Sequence, residues 1–317
     1  MPETQEIGRR IVDEVEKVIV GKRAVIERVL TGLIAAGHVL LEDVPGVGKT
    51  MLVRALSRAL SLENQRLQCT PDLMPQDITG LNVYNRRDER FDFRAGPVFT
   101  NLLLADELNR ATPRTQSALL ESMQEGQATV DGSTMPLPKP FFVLATENPI
   151  EQEGTFPLPE AELDRFLMRI AIGYPDEESE RELVRRGVGQ DSLPAVQPVT
   201  DAAGILAMQR AVHDIEVSQP VLEYIVSLTR ALRTRPGIAL GPSPRATLAL
   251  TSACRAQALL EGRTFIVPDD VQGLAEPVLA HRIMLDASAE LGGTTRSEVI
   301  ALTLEELPVP FESQGLK

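Results

Sequence analysis

The sequence predicts an α/β domain with a buried parallel sheet over residues 1–173. A linker, 174–200, joins it to a smaller all-helical domain, 201–317. Two observations carry this prediction. Short apolar runs at 39–41, 102–105 and 141–145, with weaker ones at 67–69 and 167–172, alternate with helical stretches. Runs of that length between helices are the pattern of strands buried on both faces and joined by crossover helices. The first run also leads into Pro45-Gly46-Val47-Gly48-Lys49-Thr50 and then the helical pattern Leu52-Val53-Arg54-Ala55-Leu56. Strand, glycine loop, Lys-Thr and helix is the context of a phosphate-binding loop.

From the N-terminus, residues 5–18 set Ile7, Ile11, Val12, Val15 and Val18 among charges, the mark of an amphipathic helix. Val20-Gly21 interrupts it, and helical spacing resumes over 23–36. Residues 70–99 lie between two candidate strands and read as a hairpin or loop inserted into a helix, with Phe91-Asp92-Phe93 alternating beside a polar tip at 86–89. A second hairpin is expected at 127–137, turning at Asp131-Gly132. Residues 159–166 place Leu163 and Phe166 on one face of a helix. The linker contains a charged helix at 177–186. Beyond the N-cap candidate Asp201 the chain reads as helices over 202–213, 219–233, 244–261 and 268–283, punctuated by Gly, Pro and Ser clusters, and a tail over 307–317.

Of the 317 residues, 43% are hydrophobic and 24% charged, which is ordinary for a globular protein with a real core. The net charge of −13 disfavours nucleic acid as the main partner. Basic stripes with interleaved aromatics, as single-strand binders use, are absent. No apolar stretch approaches the roughly 18 residues that a membrane span requires. The polar, acidic N-terminus does not resemble a signal peptide, and Cys69 and Cys254 have no metal-like spacing, so a reducing cytoplasmic setting is expected. His38, His213 and His281 are scattered and read as structural or surface residues.

The chemistry concentrates at four places. Gly46 and Gly48 let the backbone curl toward phosphate oxygens, Lys49 can reach the β- and γ-phosphates, and the Thr50 hydroxyl can ligate Mg²⁺. The expected cradle is Asp43, Val44, Pro45, Gly46, Val47, Gly48, Lys49, Thr50 and Met51, with Asp43 standing where the usual pattern has its first Gly. Strand 102–105 ends in Asp106-Glu107, at the edge where open α/β sheets bind ligands. There Asp106 is expected to hold Mg²⁺ opposite Thr50, and Glu107 to polarise the attacking water. Strand 141–145 leads to Asn148, whose amide can hydrogen-bond the water or the γ-phosphate. Arg165 is either a cation for the transition state or a salt-bridge partner of Asp164, Glu162 or Glu160, and the residues alone do not choose.

Together these motifs resemble the AAA+ ATPases, and within them the MoxR group of the branch with an insertion in its second helix. The resemblance rests on 40–50, 105–111, 116–125, 145–149 and 241–246, and runs from about residue 5 to 310. Asp43 is itself usual in MoxR-like sequences. The resemblance implies ATP and Mg²⁺ as cofactors, and Arg165 as an arginine finger acting on the next subunit. It implies Arg245 as a second sensor carried by the helical lid, and Val20-Gly21 as an adenine contact. Arg110 and Arg169 are weaker candidates. It further implies a homo-oligomeric ring, expected to be a hexamer, in which the hairpins either line a pore and grip a client or are surface hairpins with no client contact. The role implied is that of a chaperone-like remodeller that matures protein complexes or inserts a metal cofactor, with a von Willebrand factor A-type protein as client. A nucleotide-gated scaffold, a DNA-acting motor and a magnesium-chelatase-like motor subunit are the alternatives.

Overall fold

The structure is a computed structural model that describes residues 2–42, 48–148, 154–186 and 193–310. Helices α1 (Pro2–Glu16) and α2 (Arg23–Ile34) precede strand β1 (Val39–Glu42), and α3 (Lys49–Ala59) leads to β2 (Asn64–Gln68). Short α4 (Pro75–Thr79) opens into the hairpin β3 (Gly80–Asn85) and β4 (Arg90–Ala95). Next come β5 (Leu102–Asp106), α5 (Pro113–Glu125), a second hairpin of β6 (Gln127–Val130) and β7 (Ser133–Pro136), and β8 (Phe142–Glu147). One-turn α6 (Glu160–Leu163), β9 (Met168–Ala171) and α7 (Glu177–Arg186) follow. The remainder comprises α8 (Ala202–Ala211), α9 (Gln219–Thr234), β10 (Ile238–Leu240), α10 (Pro244–Leu260), α11 (Pro268–Leu279), β11 (Met284–Leu285), α12 (Ala287–Leu291) and α13 (Arg296–Glu306).

Five strands form a parallel sheet in the order β2-β5-β8-β1-β9. The three inner strands β5, β8 and β1 are buried almost throughout, which is why their sequences are continuous apolar runs. Alternation splits their side chains between two cores. Val39, Leu41, Leu102 and Leu104 join α1, α2 and α3, and that core continues without a break into α8 through α11. Leu40, Leu103, Ala105 and Val143 face α5 and the second hairpin. Each of these fully buried Val and Leu side chains contributes about 1.5–3 kcal/mol. No helix among the described residues is long and apolar enough to cross a membrane.

The structure departs from the sequence expectation in several places, among them α12 and α13, which lie beyond the last helix expected from the sequence. The weak strand at 67–69 is β2, which begins at Asn64. Only Leu67 of its five residues is buried, because β2 is a sheet edge whose polar side chains carry no apolar signal. The helix expected over 159–166 stops at Leu163, although Phe166 is fully buried in the turn beyond it. The helix expected over 268–283 ends at Leu279, after Pro277 has removed one ladder hydrogen bond. A single 3-10 turn and β11 follow, and β11 pairs antiparallel with β10, a small sheet that the helical reading did not anticipate.

Candidate nucleotide site

The C-terminal edge of the sheet collects the predicted carboxylates. Register places Gln68 beside Asp106, and Ala105 beside Ala145, so that Asp106 and Thr146 follow side by side. Gly48 caps α3 with φ +87°, a left-handed conformation that glycine adopts without a Cβ penalty. Lys49 and Thr50 then occupy the first helical turn, where backbone N–H groups and the helix dipole favour an anion. A cavity of about 400 Å³ lies between these parts, lined by Gly48, Lys49, Thr50, Met51, Asp106, Glu107 and Asn148, and also by Arg66 and Gln68. The predicted residues Asp43, Val44, Pro45, Gly46 and Val47 lie outside the described residues.

Thr146 organises the carboxylate pair. It is fully buried; its hydroxyl accepts from the Glu107 N–H at 2.8 Å and donates to Asp106 Oδ1 at 2.8 Å. Glu107 itself has φ +57° and ψ 52°, a left-handed conformation that costs a non-glycine residue about 1–2 kcal/mol. The bond to Thr146 helps to hold that conformation and turns the Glu107 side chain away from the strand's alternation.

Each carboxylate has a cationic or polar partner from a neighbouring element. Arg66 donates to Asp106 Oδ2 at 2.7 Å, and also to Gln68 Oε1 at 2.6 Å. Gln68 Nε2 and Arg110 Nη1 both donate to Glu107 Oε2, at 2.9 and 3.0 Å. A guanidinium seated on Asp106 shows that this carboxylate is placed to receive a cation at the cavity wall. With the Thr50 hydroxyl on the same cavity, the donor set fits a hard, oxygen-ligated ion such as Mg²⁺. Asn148 is buried at the end of β8. Beneath the site, burial and then the charges of Asp106 and Glu107 push the Cys69 thiol up to about 12, so it stays protonated. Glu147, one residue before Asn148, is raised above the usual range by burial, partly offset by Arg169.

Arg165 and Arg245 do not line this cavity. Arg165 is half-buried, and its side chain makes no hydrogen bond or ion pair among the described residues. The salt-bridge alternative is therefore not what forms: Asp164 pairs with Arg282 instead, at 2.6 Å. Arg245 is exposed in the first turn of α10. Val20 and Gly21 are also outside the cavity lining. Gly21, at φ +70°, packs so closely on α7 that an added Cβ would lie 1.9 Å from Ser179 Oγ. The preceding Ile19 reaches within 3.9 Å of the Cβ position of Gly48. Lys22 fastens this turn by donating to the carbonyls of Ile172 and Tyr174, at 2.8 and 2.6 Å. Arg169 pairs with Glu42.

Sequence reasoning missed Arg66, Gln68 and Thr146. The first two alternate with Leu67 along a polar edge strand, and Thr146 is the first polar residue at the end of an apolar run. Those signals were visible, but they become meaningful only once strand order is known.

Known proteins resemble this chain over most of its length. Residues 38–168 match the family described as "ATPase family associated with various cellular activities (AAA)", and residues 230–301 match the AAA lid domain. The uncharacterised protein YeaC of Bacillus subtilis is 44% identical over 97% of this chain and 96% of its own. Chaperone MoxR1 of Mycobacterium tuberculosis is 42% identical over 95% of this chain and 82% of its own. A crystal structure from Cytophaga hutchinsonii superimposes with a TM-score of 0.91 at 39% identity, covering 98% of this chain and 96% of that one. With relatives this similar over nearly its whole length, and with the Lys49–Thr50 helix start facing Asp106 and Glu107 across one sheet edge, the chain belongs to the MoxR family of AAA+ ATPases.

Proposed function

We propose that the protein hydrolyses ATP at the Gly48–Asp106–Glu107 cavity and uses the energy to remodel a protein client. One observation carries the reading: a single cavity brings the first turn of α3 together with Asp106, Glu107 and Asn148. In this reading Lys49 holds the β- and γ-phosphates, and Thr50 with Asp106 holds Mg²⁺, which neutralises charge on the phosphates. Glu107 orients the attacking water and Asn148 hydrogen-bonds it or the γ-phosphate. Arg66 must leave Asp106 for the metal ion to be held there, and Gln68 and Arg110 must release Glu107 before it can serve the water. The carboxylate pair thus switches partners between resting and working arrangements.

Arg165 and Arg245 stand apart from the chain's own cavity, so they act on a neighbouring copy in a homo-oligomeric ring, taken to be a hexamer. An unpaired arginine on a fixed backbone is suited to stabilise transition-state charge across a subunit boundary. Residues 1–173 and 201–317 form the two parts that shift against each other, with the 174–200 segment between them. The two hairpins face the client. Asn82 of the first donates to Asp131 of the second at 2.8 Å, and the first carries the exposed ring pair Tyr84 and Phe91, 5.3 Å apart. A client with a von Willebrand factor A domain, and a role in complex maturation or metal insertion, extend to this chain the chaperone role named for the Mycobacterium tuberculosis relative. In Glu107→Gln we expect phosphate release to fall below detection while the affinity for ATP stays within about twofold. Normal turnover in that variant would remove the assignment. Turnover that is barely detectable in the unmutated protein would favour a nucleotide-gated scaffold.

A further inference from the structure

The segment that carries Arg165 is gripped from the helical part of the chain by one buried side chain. The Arg282 side chain is 3% exposed, and all three of its nitrogens donate into residues 164–167 or the end of α11. Nε donates to Asp164 Oδ1 at 2.6 Å, and Nη2 donates to the carbonyls of Asp164 at 3.1 Å and Phe166 at 2.7 Å. Nη1 donates to the Leu167 carbonyl at 3.1 Å and to that of Val278. The neighbouring His281 adds a bond from Nε2 to the Phe166 carbonyl at 3.1 Å. The carbonyls on both sides of Arg165 are therefore fixed, while the Arg165 side chain has no partner among the described residues.

The same carboxylate reaches the other arginine. Asp164 Oδ2 accepts from Ser243 Oγ at 3.2 Å, and Ser243 caps α10 two residues before Arg245. Asp164 thus joins three elements: the turn bearing Arg165, the helix start bearing Arg245, and Arg282 beyond α11. A planar guanidinium with a fixed fork of donors holds such a set more rigidly than apolar packing would. A buried ion pair is a poor source of stability but can fix one arrangement.

We propose that Asp164, Arg282 and Ser243 form a positioning joint that holds Arg165 and Arg245 as one rigid unit and presents both to the nucleotide of a second copy of the chain. The inference rests on the reading of Arg165 as a residue acting on the neighbour. When the helical part shifts against the sheet, the 164–167 turn would move with it through Arg282, so both arginines shift together and one subunit's lid sets its neighbour's turnover.

Subunit mixing tests the joint. Asp164→Asn assembled alone should lose roughly ten- to hundredfold in kcat, because small misplacement of a charge-stabilising group costs that much. Its Kd for a fluorescent ATP analogue should stay within about twofold, since its own cavity is intact. Diluted into an excess of Glu107→Gln subunits, each Asp164→Asn subunit faces an intact neighbouring edge. Its turnover should then match that of the unmutated chain diluted the same way. Ser243→Ala, which keeps the Arg282 pair, should show a smaller loss with the same recovery. A loss that is not recovered by mixing would place the damage in the subunit's own fold or site and overturn the joint, as would unchanged kcat in Asp164→Asn. Arg165→Ala, mixed in parallel, separates the two ideas. If it is not recovered, the neighbour reading falls and takes the joint with it. If it is recovered while Asp164→Asn is normal, only the joint falls.

Discussion

Thr146→Val tests whether a single hydroxyl holds the carboxylate pair in place. Valine keeps the side chain's shape in a fully buried position, so the change removes polarity with little change in volume. The lost bond to Asp106 is to a charged group and contributes about 1.5–3 kcal/mol, while an unpaired Glu107 N–H in a half-buried setting costs about 1–3 kcal/mol. Asp106 keeps its Arg66 partner and some solvent contact, which reduces the first figure. A net loss of about 3 kcal/mol in unfolding free energy is expected. The left-handed conformation of Glu107 loses its tether, so kcat should fall by at least about tenfold as the carboxylate drifts from the water. Urea unfolding followed by circular dichroism gives the first number, and phosphate release at saturating ATP gives the second. A stability change under about 1 kcal/mol together with unchanged kcat would refute the reasoning.

Two further predictions concern groups around the sheet edge. His38 is buried; its Nδ1 accepts from the Val143 N–H and its Nε2 donates to the Met123 carbonyl, each at 3.0 Å, so the neutral ring is the one that fits. Burial lowers its pKa to about 4, against 6.5 for a free histidine. Its contribution to stability is therefore complete above pH 6.5 and is lost as pH falls toward 4, by about 3 kcal/mol. Unfolding midpoints measured across that window should lose most of their slope in His38→Gln; an unchanged slope would assign it to other groups. Arg66→Ala removes the cation that competes for Asp106, and the pair is half exposed on the arginine side, worth about 0.5–1 kcal/mol. The Mg²⁺ concentration at half-maximal nucleotide binding should therefore drop about two- to fivefold, and a rise would show that Arg66 assists the metal.

Much of the site was legible in the sequence because strand ends and helix starts carry strong local signals. The run before Asp106 and the one before Asn148 are buried on both faces, so each ends where polar residues begin, at Asp106 in the first and at Thr146, just ahead of Asn148, in the second. What stayed hidden depended on neighbours distant in sequence. Gln68 and Arg66 matter because β2 lies next to β5, a pairing that no local pattern encodes. Asp164 looked like a candidate partner for the adjacent Arg165, yet it bonds to Arg282, 118 residues away. The helix expected through 283 was misread for the same reason: the residues after Leu279 are committed to the 164–167 turn rather than to their own helix.

The central claim is that ATP bound at one subunit's Gly48–Asp106 cavity is hydrolysed with arginines supplied by the next. Phosphate release per subunit, measured over a range of protein concentration with assembly followed by sedimentation on the same samples, tests it most directly. The account predicts a specific activity that climbs with the assembled fraction and levels off when assembly is complete. A specific activity that stays flat while the protein passes from dispersed to assembled would contradict it.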